Sequence, residues 1–126
     1  MQRDMNLIRE ILLKLEAHEH GHAPGKLEIP GYSDEQIGFH IFLMGQARLL
    51  VTHDVTNAAD RSPAAMALSM TWDGYEFLDA ARNDSVWKKA RHEVTRAGVS
   101  AGFELVKQLL IGVAKDELRK HGVPVV

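Results

Sequence analysis

The sequence predicts an α+β fold that is mostly α: helix, short strand, helix, β-hairpin, then three further helices. Three observations carry this. Apolar residues recur at helical spacing over much of the chain. Leu49–Thr56 and Ala64–Thr71 have the composition of paired strands. Polar stretches bearing Gly and Pro fall where one element must give way to the next.

From Arg3 to Ala17, Met5, Ile8, Leu12 and Leu15 stand three or four residues apart, and Ile11 widens the stripe. That spacing gives an amphipathic helix. It stops near His18, because His18–Gly25 holds two glycines and a proline with no apolar period. Lys26–Ile29 alternates polar and apolar side chains before Pro30-Gly31, which predicts a very short strand and a turn.

Ser33 with Gln36 three residues on is a capping-box pair, and Asp34 and Glu35 put negative charge at the positive end of the helix dipole. The second helix therefore starts there, carries Ile37, Ile41 and Met44 as its core stripe beside His40, and ends near Arg48. The two strand segments then form a hairpin around a loose tip, Asn57–Pro63. Thr71 caps a helix from Trp72 to Arg82 that buries Trp72, Tyr75 and Leu78 to varying degree. Asp84 or Ser85 caps the next, Val86–Ala97, which Gly98 ends. The last helix follows Ser100 and runs to His121, where Gly122 and Pro124 stop it.

With 126 residues, 45% hydrophobic and 25% charged, the chain suits one soluble domain. Residues 1–82 are expected to form the core, with 83–126 a helical extension packed on it or used as a dimer interface. Lys and Arg number 15 against 17 Asp and Glu, a formal charge of -2, so the protein is no polybasic nucleic-acid coat or membrane binder. The absence of cysteine excludes a disulfide scaffold, a cysteine-ligated metal and a cysteine nucleophile. The longest apolar run, Leu109–Ala114, is far short of the roughly 20 residues that span a bilayer, and the expected location is cytoplasmic.

A helix, then a second helix leading directly into a two-stranded hairpin, is the winged-helix plan, in which the helix before the hairpin often lies in the DNA major groove. His40-Ile41, Met44, Ala47 and Leu49-Leu50 resemble the recognition-helix exit of arsenical-repressor-type winged helices, with Arg48 where glycine is usual. Arginine must there accept strain or give the turn another shape. Leu68–Thr71 with Gly74 and Phe77-Leu78 resembles the strand-to-helix step after the wing. Over nearly the whole chain the sequence is similar to domain of unknown function 2513, a family of bacteria, phages and prophages. The residues carrying this are Arg3–Arg9, Gly31–Ser33, Ile37–Ile41, Ala47–Leu50, Thr71–Ala80 and Arg82–Lys88. The resemblance implies a small winged-helix-like protein and brings no catalytic residues with it.

His18, His20 and His22 alternate in a loop without a fixed fourth ligand, which describes solvated imidazoles better than a metal site. His40, on an apolar helix, reads as a core histidine satisfied by a backbone carbonyl. His53 and Asp54 are strand neighbours whose side chains point to opposite faces, so they form no acid–base pair. With no nucleophile elbow, phosphate loop or HExxH motif, no enzyme, cofactor or metal is expected.

Two functions remain. The first is a DNA-binding regulator, with Ser33, Gln36 and Gln46 at the duplex and Arg48 and Arg61 on phosphate. Against it, Gly21–Asp60 holds two basic and five acidic residues, a net -3 across the presumed reading surface. The second is a phage or prophage interaction protein that binds a host protein through Phe39, Phe42 and Leu43. Arg82–Arg96, with five basic and two acidic residues, is the one basic concentration, at net +3, and reads as a solvated helix face. The wide apolar face of the last helix suggests a homodimer.

Overall fold

In the computed structural model, residues 1–98 and 102–125 are described. The chain divides into two compact units, Met1–Leu78 and Asp79–Val126. Among the described residues, five helices and one two-stranded antiparallel sheet make it α+β and mostly helical.

In the first unit, helix α1 spans Met5–Ala17. It starts two residues after the expected Arg3 because Asp4 remains extended and caps it, one carboxylate oxygen accepting from the N–H groups of Asn6 (2.9 Å) and Leu7 (3.2 Å). Met5, Ile8, Ile11, Leu12 and Leu15 are buried as the stripe requires, and Leu7 joins them. The strand expected at Lys26–Ile29 does not form. Sheet pairing occurs four residues earlier, where His22 bridges Ser69 and the Ala23 N–H donates to the Leu68 carbonyl (2.8 Å). The pairing does not extend past Ala23, and the chain leaves the sheet at Pro24-Gly25.

Helix α2, Asp34–Gln46, has both halves of the expected capping box. The Gln36 N–H donates to the Ser33 hydroxyl (3.1 Å), and the Ser33 N–H donates to the Gln36 side-chain oxygen (2.8 Å). At its other end Arg48 takes the strained option, with φ 62°. Its N–H donates to the Gly45 carbonyl (3.1 Å) and the Leu49 N–H to that of Met44 (2.9 Å), a complete Schellman closure with arginine in the glycine position. Left-handed geometry costs a side-chain-bearing residue roughly 1–2 kcal/mol.

Strands β1 (Leu50–Asp54) and β2 (Ala65–Met70) pair antiparallel, with Leu50 opposite Met70 and Asp54 opposite Ala65. Val51 faces Ser69 and Thr52 faces Ala67, so Leu68 is an extra bulge residue in β2. The tip is not loose. Asn57 N–H donates to the Asp60 carboxylate (2.7 Å), Asp60 N–H to the Asn57 carbonyl (3.0 Å), and the Thr56 hydroxyl accepts from the Ala64 N–H (2.9 Å).

Helix α3, Trp72–Ala81, is capped by Thr71, whose hydroxyl accepts from the Gly74 N–H (3.0 Å) and donates to the Arg48 carbonyl (2.6 Å). Trp72 and Tyr75, expected to be covered, are 79% and 42% exposed, while Phe77 and Leu78 are fully buried. Gly74 explains the rotation: a Cβ there would run into the Leu49 carbonyl, so position 74 faces inward, as do 77 and 78 one turn on. Position 72 lies on the opposite side.

In the second unit, helix α4 spans Asp84–Ala97. Asn83, one residue before Asp84 and two before Ser85, the expected caps, accepts from the Val86 N–H (3.1 Å), and Gly98 at φ 66° ends the helix. Helix α5 spans Phe103–Lys120; the expected start at Ser100 lies outside the described residues. The two helices pack on each other, α4 burying Val86, Trp87, Ala90 and Val94, and α5 burying Val106 and Leu110.

Candidate functional site

The side chains expected to read DNA divide between the two ends of α2. At its start, Ser33 and the side-chain oxygen of Gln36 are committed to the cap. Asp34 lies 3.5 Å from the Lys26 ammonium, and Glu35 accepts from the Ser62 hydroxyl (2.9 Å). That last bond brings the hairpin tip, and with it exposed Arg61, to the acidic start of the helix. Gln46 and Arg48 are exposed at the other end, about 20 Å away along thirteen residues. Phe39, Phe42 and Leu43 are half-buried, so each keeps accessible apolar surface.

His40 is buried at 1% exposure and joins α1 to α2. The Asp4 N–H donates to Nε2 (2.8 Å), which makes Nδ1 the protonated nitrogen, and that group donates to the Gln36 carbonyl (2.7 Å). Both ring nitrogens are therefore satisfied by backbone, as expected of a core histidine. Tyr32 donates from its hydroxyl to the other Asp4 oxygen (3.1 Å); burial and the neighbouring Asp4 charge raise its pKa. Sequence reasoning missed this second tie, because Tyr32 and Asp4 stand 28 residues apart.

The remaining polar candidates do not converge. His18 is half-buried and His20 and His22 are exposed; His20 lies 3.0 Å from Glu19, and His22 lies in the sheet bridge. Among the described residues no three His, Cys, Asp or Glu side chains group to hold a metal ion. His53 and Asp54 are both exposed, and the Thr56 N–H holds the Asp54 carboxyl below its ordinary pKa. On α4 and just before it, Arg82 pairs with Asp79, Lys89 with Glu117 and Arg96 with Glu93, so much of the basic run is compensated within its own unit. No described helix is long and apolar enough to cross a membrane.

One concavity was not legible in the sequence. A groove of about 220 Å³ opens between Pro24–Leu27, the first half of α2 and the start of β2. Ile37, Ile41, Ala65 and Ala67 form its floor, and the Lys26–Asp34 ion pair stands at its rim. Its walls come from three separate segments, so no local spacing announces it.

A family described as hypothetical protein (DUF2513) matches residues 2–100. An uncharacterized protein of Haemophilus influenzae is 33% identical over 112 residues, which cover 86% of this chain and 92% of that protein. No solved structure matches. The sequence resemblance, the matched span and this relative agree: the chain belongs to the DUF2513 family.

Proposed function

We propose that this chain is a non-enzymatic winged-helix module that works by binding another protein. The observation carrying this is the outward surface of α2. Where a duplex reader needs Arg, Lys, Asn or Gln toward the bases, α2 has Gln36, its oxygen held in the cap, and exposed Gln46, while Phe39, Phe42 and Leu43 are each half-buried and the first turn holds Asp34 and Glu35. A negative first turn repels phosphate, whereas accessible aromatic side chains are what protein interfaces use as anchors. Phe42→Asp is expected to abolish partner capture while leaving the melting temperature within a few degrees of the parent. A large loss of stability would identify Phe42 as core and remove the argument built on it.

A duplex-binding regulator is the second reading, and the strand order supports it. The His22–Ala23 stub lies on β2, which lies on β1, an arrangement that accords with the winged-helix plan. Fluorescence anisotropy of a labelled random duplex pool separates the readings, because phosphate-driven binding weakens steeply with salt. Protein binding predicts no anisotropy rise even at low salt. Binding that persists at physiological salt and is lost in the Arg48→Glu, Arg61→Glu double variant would establish the regulator. Self-association through α5, whose Leu105 and Leu118 are each 43% exposed, is compatible with either and is read by sedimentation.

A further inference from the structure

We propose that the outer stripe of α3, formed by Trp72, Tyr75 and Glu76, binds an arginine side chain presented by a segment of another protein. This rests on the reading of the chain as a protein-binding module and gives that module a second contact, separate from Phe39, Phe42 and Leu43.

The stripe follows from helical spacing. Tyr75 and Glu76 stand three and four residues after Trp72 within α3, so the three side chains share one face. All three are exposed, Trp72 at 79% and Tyr75 at 42%. Tryptophan is on average a well-covered side chain, so an indole this open is unusual. Its exposure is not slack in the helix. Phe77 and Leu78 are fully buried on the other side, and a Cβ at Gly74 would run into the Leu49 carbonyl, so α3 cannot roll to bring Trp72 inward. Two aromatic rings are thus held outward on the same face as a carboxylate.

Charge selects the occupant. From Trp72 to Ala81 the helix holds three carboxylates and no basic residue. Asp73, in the first turn, offsets the positive end of the helix dipole, and Asp79 is taken by Arg82. Glu76 is left over: among the described residues no ion pair or hydrogen bond holds its carboxylate, and no Lys or Arg stacks on Trp72 or Tyr75. The cation that would suit this face therefore comes from outside the chain. A guanidinium fits it better than an ammonium, because its plane stacks on an indole while its N–H groups still reach a carboxylate. Nucleobases could also stack on the rings, but their phosphates would then meet Asp73 and Glu76.

The test uses the full chain and a display library of random octapeptides, selected at physiological salt and counter-selected against the Trp72→Ala variant. Because Trp72 is so exposed, that variant should melt with the parent. Surviving peptides should carry arginine. In a synthetic copy, citrulline, which keeps the shape of arginine without its charge, should weaken binding about tenfold, and lysine should weaken it less. Trp72→Ala should weaken it about tenfold, Glu76→Gln about threefold and Phe42→Asp less than about twofold. Bound peptide should also shield an indole from acrylamide quenching, a change absent in Trp72→Phe, whose remaining Trp87 is only 5% exposed. No surviving peptide, survivors without arginine, or citrulline binding as well as arginine overturns the proposal. If it falls, selection without the counter-selection step separates the readings: peptides lost in Phe42→Asp alone keep the protein-binding reading on α2. Duplex binding at physiological salt would instead remove the reading on which the stripe rests.

Discussion

The two compact units each bury an apolar core and differ in what is added to it. Met1–Leu78 contains six Lys and Arg against eleven Asp and Glu, a net -5, whereas Asp79–Val126 contains nine against six, a net +3. Polar bonds between distant residues pin the first unit: Asp4 to His40, Tyr32 to Asp4, Ser62 to Glu35 and Thr71 to Arg48. The second relies on an apolar seam between α4 and α5, with ion pairs only at its surface. Directional bonds fix edges and turns in one geometry, while an apolar seam tolerates changes of shape that conserve volume. The unit with these directional ties is also the one that carries the groove and the outward surface of α2.

The seam is broken most severely at Trp87, 5% exposed on α4. Trp87→Ala should cost about 3–5 kcal/mol, seen in urea unfolding and as lost hydrogen-exchange protection in α4 and α5. In the first unit, Gly74→Ala should cost about 2–3 kcal/mol, although the same change in an ordinary exposed helix gains about 1 kcal/mol, because the added methyl meets the Leu49 carbonyl. A neutral result would show that the contact between α3 and the Leu49 strand entry is loose, and would weaken the contrast between the units.

Arg48→Gly changes the sign. Relief of left-handed strain exceeds the extra disorder of an unfolded glycine, so stability should rise by about 0.5–1 kcal/mol on chemical denaturation. The remaining tests are smaller. The Tyr32 pKa is raised, so its bond to Asp4 contributes stability that is complete below the ordinary value near 10 and is lost as pH rises through the folded value. The stability advantage of wild type over Tyr32→Phe should accordingly be present at neutral pH and fade only at alkaline pH. Lys89→Ala should shift stability least, leaving the denaturation midpoint within its measurement error, since its partner Glu117 is reached across a solvated surface. An effect several times larger would mean that the second unit, too, depends on directional bonds.

How much was legible in the sequence follows from the same contrast. Local rules predicted the Ser33–Gln36 cap, the α1 stripe, the hairpin and the Gly98 stop, because each is written within a few neighbouring residues. The His22–Ala23 stub escaped because two residues show no alternation, and Lys26–Ile29 imitated a strand without a partner. Trp72 and Tyr75 were misread because side-chain type suggested burial, while Gly74, through its contact with Leu49, fixed which side of α3 faces inward. The groove depends on where three distant segments come to rest, and no window of sequence contains that.

The Thr71 hydroxyl has a kinetic consequence. It donates to a carbonyl 23 residues earlier in the chain and accepts from the first turn of the helix that follows. The first turn of α3 thus gains its full cap only once the intervening hairpin has brought Arg48 back beside it, a loop closure whose entropy must be met beforehand. Nucleation of α3 is thereby coupled to strand pairing. Thr71→Val should slow refolding as much as it lowers stability if that closure belongs to the rate-limiting step, and should speed unfolding alone if it comes afterwards.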